Sequence, residues 1–208
     1  MFTRKSIFEE GNTMATQPKP FVTPEEYLAQ ERLAETKSEY CCGEVFPMAP
    51  SNLNHSLIVS NLVASLGASL RRSDCQVYCS NLRLLVCETG FYTYPDVLVV
   101  RGKPSLTDAN SDVLTNPVLL IEVFSESTEN HDRGGKLHQY MRIPSLQEYL
   151  TVSQTEMLID HHIRQPNNSW RIRELVPANG KLPIHCLGVQ LDFADVYDRI
   201  DFNEAAAS

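Results

Sequence analysis

Two stretches decide how this chain reads: Tyr94-Pro95-Asp96-Val97-Leu98-Val99-Val100 and Pro117-Val118-Leu119-Leu120-Ile121-Glu122-Val123-Phe124. Each is an apolar run of strand length interrupted by one carboxylate. The second is so continuously apolar that it predicts a central strand covered on both faces. A lone carboxylate in such a strand is costly to desolvate, and it persists only when paired, hydrogen-bonded or bound to a metal.

Outward from these strands, Gln76–Ser80 and Leu82–Cys87 read as further strands, with Leu82, Leu84 and Val86 alternating against Arg83. Glu148–Val152 is another, and Met157–Arg164 with Ser169–Val176 predict a hairpin around Gln165-Pro166-Asn167-Asn168. Thr23-Pro24-Glu25-Glu26 is a capping box with proline at the first helical position, so a helix is expected over about Pro24–Lys37, with Val22 stapled against Tyr27. A short strand over Glu44–Ala49 precedes the turn and cap residues Pro50-Ser51-Asn52. Ile58, Val59, Leu62, Val63, Leu66 and Leu70 then recur at helical spacing. A further helix is expected over Asp132–Arg142, stopped at Ile143-Pro144, and a short one carrying Val196, Tyr197 and Ile200. The predicted class is α/β or α+β with a mixed central sheet flanked by helices.

The chain has 208 residues, 42% hydrophobic and 21% charged, enough for one well-buried domain. That domain is expected over residues 21–202, between an N-terminal extension (1–20) expected to be disordered, with Met14 an alternative start, and a tail (203–208). The longest apolar run, Pro117–Phe124, falls short of a membrane span, and Glu9-Glu10-Gly11-Asn12 follows the basic start where a signal peptide would be apolar. A cytoplasmic protein without membrane association is the expectation. Six cysteines lie without a CxxC pair or zinc-ligand spacing and read as free thiols. The net charge of −8 weighs mildly against a polyanionic partner, although Arg71-Arg72, Arg101 with Lys103, and Arg171 with Arg173 could line a groove.

Two carboxylates on neighbouring strands suit a hard divalent cation. Magnesium typically takes one or two protein carboxylates, keeping waters and phosphate oxygens for the rest of its shell. Such an ion polarises a phosphodiester oxygen and lowers the pKa of a bound water. A cation is wanted beside the developing charge, and Lys136 is the candidate nearest in sequence. The metal-free accounts are a strand-start carboxylate capping backbone groups for Asp96, and a buried ion pair with Lys136 or Arg83 for Glu122. The neighbours His161-His162 should face opposite sides of a strand and cannot share one ion. Ser125 and Ser127 lack a nucleophile elbow, and Gly134-Gly135 lacks phosphate-loop spacing.

The order Pro95-Asp96, Glu122, then a lysine resembles the PD-(D/E)XK nuclease superfamily. More closely, the chain resembles the Uma-type endonuclease family, once grouped as a domain of unknown function, over about Phe21–Phe202. The resemblance rests on Lys37-Ser38-Glu39-Tyr40, Gly43 through Ala49, His55, Leu82-Arg83, Tyr92 through Val97, Asn116 through Val123, Ser125, Ser127-Thr128, Asp132-Arg133-Gly134 with Lys136, and Pro144 through Tyr149. It implies a restriction-endonuclease-like core, a DNA substrate, Mg2+ or Mn2+ held by Asp96 and Glu122, and a homodimer. Lys136 and Glu39 (or Glu44 in place of Glu39) then complete the catalytic set. His55 could touch substrate or water, or serve as a surface or capping residue. Arg83 could meet a phosphate or an active-site carboxylate, or simply lie on a polar strand face. A non-catalytic nucleic-acid- or protein-binding module on the same fold is the alternative.

Two departures stand out. The superfamily lysine usually lies two residues after the glutamate, where this chain has Phe124, so Lys136 must substitute from the helix. Cys41-Cys42 replaces the aromatic residue and aspartate common in relatives.

Overall fold

The computed structural model describes residues 21–107, 110, 112–124 and 135–202. In chain order the elements are α1 (Pro24–Glu31), β1 (Ser38–Cys41), β2 (Glu44–Pro47), α2 (Leu53–Leu70), β3 (Cys75–Cys79), β4 (Arg83–Val86), β5 (Phe91–Thr93), β6 (Val97–Arg101), β7 (Val113–Leu114) and β8 (Leu119–Phe124). They continue with α3 (Leu137–Tyr140), β9 (Glu148–Ser153), β10 (Ile159–Arg164), β11 (Trp170–Leu175), β12 (Lys181–Ile184), β13 (Val189–Asp192) and α4 (Phe193–Val196). The extension over residues 1–20, the loop serines and Asp132–Gly134 lie outside the described residues.

A six-stranded mixed sheet in the order β11-β10-β9-β8-β6-β3 forms the centre. Its β8–β9 pair is parallel, while β6 runs antiparallel to both β8 and β3. One face carries Val97, Val99, Leu119, Ile121 and Val123 against α2 and α4; the other carries Leu98, Val100, Leu120 and Tyr149 against β4, β5 and α3. Strand β8 is therefore covered on both sides, as its continuous apolar run requires. A second sheet, β2-β1-β5-β4-β7, and the hairpin β12–β13 complete the fold.

Helix α1 starts at the capping box, with the Thr23 side chain accepting from Glu26 N–H and Glu26 accepting from Thr23 N–H. It ends six residues earlier than the pattern suggests. Leu33 beyond it is 88% exposed and gives the helix nothing to bury, while the Glu31 carboxylate turns inward to accept the Ser38 N–H at 2.8 Å.

Helix α2 buries Ile58, Leu62, Leu66 and Leu70, each contributing about 1.5–3 kcal/mol relative to exposure. Its 18 residues hold no charged side chain, so by length and composition alone it passes for a membrane span. Its contacts make it a core helix on the central sheet.

Of the expected strand over Tyr94–Val100, only Val97–Val100 are strand, in β6; Tyr94-Pro95-Asp96 link it to β5 of the second sheet. The chain crosses from β5 to β6 at Pro95, whose missing N–H cannot join a ladder. The expected helix over Asp132–Arg142 is, within the described residues, the single turn α3 preceded by a wide turn at Gly135-Lys136.

Candidate active site

The crossing at Pro95 leaves Asp96 at the head of β6, just before the Val97–Ile121 pair of the β6–β8 ladder. Its Oδ2 accepts the N–H of Val123 at 2.8 Å, so the carboxylate lies against the backbone directly after Glu122. Its Oδ1 lies 3.1 Å from His55 Nε2. His55 is set in the first turn of α2, whose N-cap Asn52 accepts the His55 N–H. Asp96 and His55 line a cavity of about 170 Å3 with Ser51, Ser56, Val59 and Ser80.

Glu122 follows Leu120 on the face opposite α2, as strand alternation demands. Its Oε1 accepts the Tyr140 hydroxyl at 2.5 Å and lies 3.4 Å from Lys136 Nζ. Burial, then the charge of Glu122, pushes the Tyr140 hydroxyl well above its ordinary range, which keeps it a donor. Lys136 and Tyr140 are four residues apart on one helical face, so both reach the same carboxylate. Lys136 Nζ also lies 3.1 Å from Glu39 Oε1, which accepts the Thr93 hydroxyl at 2.6 Å.

The site thus draws on β1, β5, β8 and α3, with Asp96 and His55 adjoining from β6 and α2. Glu39, Asp96, Glu122 and Lys136 are each less than a tenth exposed. Glu39 and Glu122 flank the Lys136 ammonium, and Asp96 meets His55 and the backbone after Glu122, so charged groups are gathered where burial alone would penalise each of them. No three His, Cys, Asp or Glu side chains converge as a ready-made cage among the described residues. Asp96 on the wall of the cavity, with Glu122 directly before the backbone N–H that Asp96 accepts, is an oxygen donor set that fits magnesium or manganese, which keep waters, rather than a closed zinc site.

Of the two glutamates the sequence offers, Glu39 is the one at Lys136; Glu44 is exposed at the β1–β2 turn. His55 lies on Asp96. Arg83 is not among these residues. Its Nε and Nη2 donate to the Tyr94 hydroxyl at 2.9 and 2.7 Å, and its Nη1 to Asp112 at 3.2 Å. Neither Asp96 nor Glu122 receives it.

The neighbours His161 and His162 part as alternation predicts. His161 Nε2 meets Glu148 at 2.5 Å and stacks on His185, while His162 packs against Tyr149. Tyr140 and Thr93, which hold the two glutamates, went unread in the sequence. The spacing of Tyr140 from Lys136 on the expected helix is the available signal.

This architecture of a mixed sheet with few helices is a nuclease-like fold. It matches a crystal structure described as "a putative nuclease belonging to DUF820" from Anabaena variabilis, with a TM-score of 0.68, 18% identity, and 85% of this chain and 97% of that one covered. Residues 24–194 match the family described as "Uma2: Putative restriction endonuclease". The chain belongs to the Uma2 family. Two uncharacterised Synechocystis sp. proteins are similar along nearly their whole length. The protein sll1609 is 33% identical over 81% of this chain and 96% of its own, and slr1290 is 34% identical over 89% and 96%.

Proposed function

We propose that this protein is a divalent-metal-dependent endonuclease hydrolysing DNA phosphodiester bonds, with Asp96 and Glu122 the residues that would hold Mg2+ or Mn2+. The observation that carries the reading is the approach of two buried carboxylates: Asp96, on the wall of a cavity, accepts the N–H of Val123, the residue directly after Glu122, and Glu122 lies 3.4 Å from Lys136. Two carboxylates with a lysine at hand are a donor set that a divalent cation can take, with waters and phosphate oxygens completing its shell. When bound, it supplies a polarised phosphodiester oxygen and an acidified water.

The chain's own groups have separate tasks. The Val123 N–H fixes one oxygen of Asp96, leaving the other toward the cavity. The Tyr140 hydroxyl orients Glu122. Glu39, itself held by Thr93, keeps the Lys136 ammonium beside Glu122, where it can stabilise charge developing on the phosphate. Membership of a family described as restriction endonucleases supports the choice of DNA as substrate.

One observation favours a second reading, a nucleic-acid-binding module without catalysis. Lys136 is already engaged by two carboxylates rather than open to a phosphate. The two readings separate in one experiment. Supercoiled and single-stranded DNA are incubated with the purified protein in magnesium, in manganese and in chelator, beside Asp96→Ala and Glu122→Ala. Metal-dependent cleavage that falls about 100-fold or more in both variants is expected of the nuclease. Intact DNA under every condition, with DNA affinity undiminished in chelator, would establish the binding module instead.

A further inference from the structure

The hairpin β1–β2 closes through two residues. Cys41 pairs with Glu44, and between them Cys42 and Gly43 both have positive φ, 52° and 87°. This is the backbone of a type I′ turn, whose first central position favours Asn, Asp or Gly. Cysteine brings no side-chain oxygen to stabilise the left-handed region, so Cys42 occupies a position its backbone chemistry does not recommend.

The geometry has a chemical result. Consecutive residues of a regular strand point to opposite faces. Here the left-handed residue brings the Cys42 Sγ to 3.6 Å from the Cys41 Sγ, with Cys42 exposed and Cys41 half-buried. The chain's other cysteines, Cys75, Cys79, Cys87 and Cys186, are free thiols joined by no sulfur–sulfur hydrogen bond.

We propose that Cys41 and Cys42 form a dithiol site for a trivalent thiophilic centre, with organoarsenic(III) compounds as the ligand class. The bite supports this choice. Two bonds from sulfur of about 2.3 Å, meeting at the roughly 100° angle of a pyramidal trivalent centre, place the sulfurs about 3.5 Å apart, whereas a linear two-coordinate ion needs about 4.6 Å. The separation in the turn matches a bent centre and is too short for a linear one.

The reaction balances without oxidation. An arsenoxide R–As=O takes the protons of both thiols onto its oxygen, which leaves as one water, and two S–As bonds form while arsenic stays trivalent. Burial, then the neighbouring Cys42 thiol, pushes the Cys41 thiol up to about 11. Cys41 therefore enters as the thiol, with the leaving oxygen as its proton acceptor. Once one sulfur is bound, the second reacts intramolecularly at high effective concentration, which a monothiol competitor cannot match.

The test is intact-mass spectrometry of the full chain after exposure to phenylarsine oxide in excess glutathione. One phenylarsenic group per chain, with loss of one water, is expected, and a small dithiol should remove it. Cys42→Asn supplies the residue the turn favours, so the hairpin should hold, as an unchanged melting temperature will verify; retention of arsenic should fall about 100-fold or more. The Cys79→Ser, Cys87→Ser double variant should keep the adduct. No stable adduct on the parent chain, or one that survives in Cys42→Asn, would overturn the assignment.

Discussion

Two polar knots lie on either side of Pro95, and they differ in the cation at their centre and in their exposure. In the first, the Arg83 guanidinium holds the Tyr94 hydroxyl and Asp112, Tyr94 donates to Glu31 at 3.1 Å, and Arg32 pairs with Asp112 at 2.9 Å. Its cations are guanidinium groups, whose planar forks bind several acceptors at once, and it is a fastening: it ties α1 and the chain before β7 to β4. In the second, the compact Lys136 ammonium lies between Glu39 and Glu122, with Asp96 held to the backbone directly after Glu122 and lining a cavity. Three polar contacts within four residues show how close the two lie, since Thr93 serves Glu39, Tyr94 serves Arg83, and Asp96 serves Val123.

Lys136→Met should show the largest effect. It leaves Glu39 and Glu122 buried without their shared cation, a loss of about 3–5 kcal/mol by urea unfolding. A cost under about 1 kcal/mol, as for a surface pair, would mean the cluster is not a tight one. Arg83→Met comes next, at about 2–3 kcal/mol, because Tyr94 and Asp112 lose charge-assisted bonds while Asp112 keeps access to water. This variant should bind Mn2+ in calorimetry as the parent does; a lost binding isotherm would dissolve the distinction between the knots. Glu122→Gln should have the smallest effect on stability. With one carboxylate fewer around Lys136, the melting temperature should hold or rise, by the equivalent of up to about 1 kcal/mol. A drop of several degrees would show that Glu122 serves the fold instead.

The parts of this arrangement legible in the sequence were those with a local signature. Asp96 and Glu122 each interrupt an apolar run, the α1 start has its capping box, and the β10–β11 hairpin has alternation on both sides of Pro166. Lys136 is read as the nearest cation in sequence and Glu39 from the resemblance, since no periodicity links residues that meet only through tertiary packing. The misses share a cause. Strands β1, β5, β7, β12 and β13 are two to four residues long, too short to display a period, and their strand character is conferred by their partners. Arg83 shows the same limit: its strand was evident, but its burial against Tyr94 depends on how two sheets meet.

The reach of Lys136 bears on when the cluster comes into being. Its partner Glu39 stands roughly a hundred residues earlier in the chain, a separation that makes this a late and slow contact to close. A chain leaving the ribosome exposes Glu39 first, then Asp96, then Glu122, each without the ammonium that completes the set. Whatever chemistry the cluster performs, an unfinished chain cannot perform it.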